Sequence, residues 1–64
     1  MNDRRMIIKM TETATGKVTY VTPRGNAKAR GKAHLYPTAN AQRIADGFAA
    51  DEGNAGFTFT VEEV

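Results

Sequence analysis

Only one segment of this chain repeats its apolar residues at helical spacing: Ala41, Ile44, Ala45 and Phe48 fall at i, i+3, i+4 and i+7, with Gln42, Arg43, Asp46 and Ala50 turned away. One helix covers one face of one sheet, so the rest of the chain must supply the strands beneath it. Pro37-Thr38 marks the helix start with Thr38 as N-cap, and Gly53-Asn54 marks a left-handed end. Gly47, about 1 kcal/mol less favourable than Ala inside a helix, reads as a point of close approach to the sheet.

Strand patterning surrounds that helix. From Met6 to Thr13 the residues alternate, with Met6, Ile8 and Met10 on one side and Ile7, Lys9 and Thr11 on the other. Thr15-Gly16 supplies a turn, and Lys17 to Thr22 is rich in β-branched and aromatic residues before Pro23 stops it. Ala33 to Tyr36 reads as a short third strand with Leu35 inward. After Gly56, Phe57, Phe59 and Val61 alternate with Thr58, Thr60 and Glu62. The expectation is an α+β fold in one domain, 1–64: an antiparallel sheet of three or four strands, one helix on one face, order ββ(β)αβ. Its expected core is Ile8, Val18, Tyr20, Leu35, Ile44, Phe48, Phe57, Phe59 and Val61. The other face, with Ile7, Lys9, Thr11, Thr19, Val21, Thr58 and Thr60, is expected to lie open, either wet or against a partner.

Composition narrows the chemistry. A chain of 64 residues makes a small core and leaves little room for a deep substrate cavity, which argues against an enzyme. Serine and cysteine are both absent and His34 is the sole histidine, so Ser-His-Asp and Cys-His arrangements are impossible. One histidine also falls short of a zinc site, and no spacing matches a calcium loop. Of the two carboxylate pairs, Glu62 and Glu63 point to opposite faces of a strand. Asp51 and Glu52 read as a solvated helix end. No catalytic residue, metal ligand or cofactor site is expected. The apolar stretch Met6-Ile7-Ile8, after the charged start Asp3, Arg4 and Arg5, is too short for a signal core or a membrane span. Without cysteine, the expected compartment is the reducing cytoplasm.

Charge is distributed unevenly. Between Glu12 and Asp46 there is no acid, while Lys17, Arg24, Lys28, Arg30, Lys32 and Arg43 fall in that gap; from Asp46 onward there are acids and no Lys or Arg. The basic segment 23–32, PRGNAKARGK, reads as a flexible cationic loop able to grip phosphate or an acidic protein surface. It is not a P-loop: five residues separate Gly25 from Gly31, and Ala33 stands where Ser or Thr would hold magnesium. The contacts expected for a partner or phosphate are Arg24, Lys28, Arg30, Lys32, Tyr36 and Arg43, with Tyr36 exposed for stacking on a base. The same segment also suits a solvated turn kept soluble by its charge.

In layout, the pieces KVTYVTPRG, NAQRIADGFAA and GFTFTVEEV resemble the small accessory proteins of phages and prophages, anti-CRISPR and other anti-defence proteins among them. That resemblance implies a binding protein without catalysis, which blocks a host or defence nucleic-acid-processing complex by covering its surface in the host cytoplasm. Direct binding of nucleic acid through segment 23–32 is the alternative. A homodimer through the open sheet face or the terminal edge strand is a third expectation.

Overall fold

The computed structural model describes residues 4–64; Asp3, part of the charged start, lies outside them. The fold is α+β, an open antiparallel sheet of five strands with one helix. The strands are β1 (Arg4–Glu12), β2 (Val18–Thr22), β3 (Gly25–Ala27), β4 (Tyr36–Pro37) and β5 (Phe57–Glu63), and the helix α1 (Ala41–Ala50) precedes β5. Three or four strands were expected; the difference is β3, which lies inside the basic segment and pairs with β2.

Strand β1 organises the sheet. From Met6 opposite Glu63 to Glu12 opposite Phe57 it pairs with the whole of β5. Its other edge is divided: β2 pairs with residues 9–11, and β4 pairs at Arg4 and Met6. Where β2 leaves, the His34 amide donates to the Val21 carbonyl at 3.3 Å and bridges the gap.

This register sorts the side chains. Met10 lies opposite Thr19 and Phe59, while Lys9 lies opposite Tyr20 and Thr60. Thr19 and Val21 therefore share the helix side with Ile8 and Met10, and Val18 and Tyr20 share the other. That inverts the expected facing of β2. The cause is the hairpin, where the Glu12 amide donates to Lys17 O at 2.8 Å and the Gly16 amide to Glu12 O at 2.7 Å, setting Thr11 opposite Val18. Both sides of β2 carry a β-branched residue, so its own composition could not fix the register.

The helix-side core is Ile8, Val21 and Ala45, with Met10, Tyr36, Ile44, Phe48, Phe59 and Val61 packed on it. Phe48 and Phe59 stack at 5.7 Å between centroids. The helical stripe holds as expected, with Ala41 and Ala45 buried and Ile44 and Phe48 half-buried. Leu35 departs from expectation: it precedes β4 and is 41% exposed.

Three local expectations are corrected. The helix starts at Ala41, with Asn40 as N-cap and no side-chain cap bond, because residues 38–40 form a turn first. It ends at Ala50, and a 3-10 turn over Glu52–Asn54 replaces the left-handed cap. The Asp51 carboxylate accepts the Gly53 amide at 2.9 Å, so this acid is a turn cap. Gly47 is exposed, and a Cβ there would meet nothing within 4 Å, so no close approach requires it.

Candidate docking surface

The basic segment is built, with little of the expected freedom. Pro23 and Arg24 form a tight turn between β2 and β3, closed by the Thr22 hydroxyl donating to Gly25 O at 2.7 Å. Gly25 has φ +117°, a value that an L side chain rarely adopts. Asn26 anchors β3 on the helix side, its amide donating to the Thr19 hydroxyl at 3.2 Å and to the Met10 sulfur at 3.3 Å. After Ala27 the chain crosses to the opposite side of the sheet as a 3-10 turn, Arg30–Lys32.

That turn is bound where an open face was expected. Arg30 donates from Nη1 to Glu62 Oε1 at 2.8 Å and from Nη2 to the Glu63 carbonyl at 2.9 Å. Lys9 Nζ lies 3.8 Å from the other Glu62 oxygen. Beside this clamp Ile7 lines a depression with Arg30, Gly31, Ala33, Leu35 and Val64, and Ile7 is only 2% exposed. The face is therefore half covered: Thr58 and Thr60 remain exposed while Ile7 is buried.

The six candidate contacts thus separate. Arg30 is held by Glu62 and Glu63. Tyr36 sits against the helix-side core, its ring edge-on to His34 at 4.7 Å, and burial raises its phenol above the ordinary value. Its ring is thus engaged in packing. Arg43 is exposed on α1, across the sheet from the Arg30–Glu62 clamp. Arg24, Lys28 and Lys32 are exposed, and among the described residues none of them makes an ion pair.

Arg24 and Lys32 do converge. With Thr22 and His34 they border a shallow, open depression of about 640 Å³, to which Pro23, Ala27, Ala33 and Leu35 contribute apolar surface. The sequence reading missed this, because Leu35 was placed inward. Such a surface suits a partner that presents a carboxylate or phosphate next to an apolar group. Among the described residues no three of His, Asp and Glu gather as a metal site, and no helix is long and apolar enough to cross a membrane.

Comparison with known proteins finds no family model, no curated protein and no solved structure that matches the chain.

Proposed function

We propose that this chain is a non-catalytic docking protein that covers an acidic surface on a larger complex, in the manner of a phage-type anti-defence inhibitor. The supporting observation is the contrast within one short segment. Arg30 is neutralised by the chain's own Glu62, whereas Arg24 and Lys32 stand uncompensated around an apolar depression with the exposed Leu35. Cations on an ordered backbone lose less freedom on binding than cations on a mobile loop, which favours a specific contact. The partner class is a protein surface carrying Asp or Glu beside an apolar side chain.

The test is capture of the partner complex from nuclease-treated host lysate by wild type and by an Arg24→Gln, Lys28→Gln, Lys32→Gln variant, with Leu35→Asp as a second variant. Both variants should lose a nuclease-resistant protein that Arg30→Gln retains. Direct phosphate binding gives a different result: affinity for mixed oligonucleotides would fall with a log-log salt slope of about 0.9 per neutralised phosphate, and Leu35→Asp would matter little beyond its charge. That outcome would replace the protein partner with nucleic acid.

A further inference from the structure

The outer edge of β5 is a second interaction surface, independent of the basic segment. Two hydrogen bonds at the ends of its ladder with β1 fix its phase: the Thr13 amide donates to Gly56 O at 3.0 Å and the Val64 amide to Arg5 O at 2.8 Å. Antiparallel strands alternate bonded and non-bonded rungs. Even-numbered residues of β5 therefore point their backbone groups at β1, and Phe57, Phe59, Val61 and Glu63 point theirs away. Among the described residues β5 pairs only with β1, and the one outward group with a partner is the Glu63 carbonyl, bound by Arg30. Phe57 to Val61 contains no Pro, no Lys and no bulge to blunt the edge.

We infer that this edge pairs with the same edge of a second copy, antiparallel about a two-fold axis at Thr60. The phase and the sequence select that register. Odd residues must form the bonded rungs, and only pairing centred on Thr60 engages the whole strand, Phe57 to Glu63, with itself. Phe59 then faces Val61 of the second copy, each donating and accepting through its backbone, and both extend the helix-side apolar layer. On the other side Thr60 meets Thr60 and Glu62 meets Thr58, so no like charges stand opposite. A foreign acidic strand would lack this match and would meet Glu62 and Glu63. The axis runs perpendicular to the sheet, so the two basic segments emerge on one side of a continuous sheet.

The absence of cysteine makes the test direct. A residue on the axis lies opposite itself, at a spacing that a disulfide can span. Thr60→Cys should cross-link to a covalent dimer under mild oxidation, and Thr58→Cys, which would face Glu62, should lag well behind. Thr60→Glu and Thr60→Lys should each stay monomeric by light scattering, while a mixture of the two forms a heterodimer. Thr60 is exposed, so circular dichroism should find all four variants folded. The triple Gln variant of the basic segment should dimerise like wild type, which separates this inference from the proposed function. A mass of 7.0 kDa at every concentration, with Thr60→Cys cross-linking no faster than Thr58→Cys, would overturn it.

Discussion

Ile8 is the side chain on which both layers converge: fully buried, facing α1, and located where the partner strand of β1 changes from β2 to β4. Removing one methyl as Ile8→Val should cost about 0.5–1.5 kcal/mol, and Ile8→Ala about 2–5 kcal/mol. A chain this short commands only a few kcal/mol in total, so the alanine variant should be largely unfolded by circular dichroism. Tyr36 gives a pH signature. Its phenol keeps its proton to higher pH when folded than the ordinary value of 10.0, because burial disfavours the phenolate. Above that pH the unfolded chain binds fewer protons than the folded one, so stability present below pH 10.0 falls as pH rises through the folded pKa. The urea midpoint of wild type should therefore drop more steeply above pH 10.0 than that of Tyr36→Phe. Equal slopes would mean that the ring is solvated. Arg30→Gln removes an exposed clamp and should cost less than about 1 kcal/mol, less still in high salt.

At the scale of elements, the helix carries an avoidable weakness. Gly47 is exposed and has no neighbour that a methyl would strike, so Gly47→Ala should stabilise the protein by about 1 kcal/mol in denaturant titration. Gly25→Ala should do the reverse, because φ +117° strains any L side chain at the turn that presents Arg24. Such contrasts mark how far the sequence could be read. The helical stripe and the alternation of Phe57, Phe59 and Val61 were legible because each puts polar residues on one side and apolar on the other. Strand β2 was not, since Val18 and Tyr20 look as apolar as Thr19 and Val21, and its facing was decided by the turn that precedes it. Strand β3 was hidden as well: Gly25, Asn26 and Ala27 have little β propensity, and pairing with β2 alone makes them a strand. Of the site, the cations were visible. The carboxylate that holds Arg30 lies 32 residues away, a separation that no local pattern encodes.

Taken as a whole, the molecule compensates part of its own charge segregation. The Glu62 carboxylate, from the acid-rich end of the chain, and the neighbouring Glu63 carbonyl hold the basic segment on the sheet at Arg30, and this leaves Arg24, Lys28 and Lys32 as the outward cations. Adjacent residues of one strand, Ile7 and Ile8, are consequently both shielded, one by each side of the sheet. Most small open sheets keep one side wet, and backbone amides along them swap protons with solvent whenever a strand frays. Here two neighbouring residues of β1 are dry, one on each side of the sheet. In deuterated buffer the amides of Ile7 and Glu62, which the phase of the ladder bonds to each other, should be the last to lose their protons, at a rate that reports opening of the entire fold.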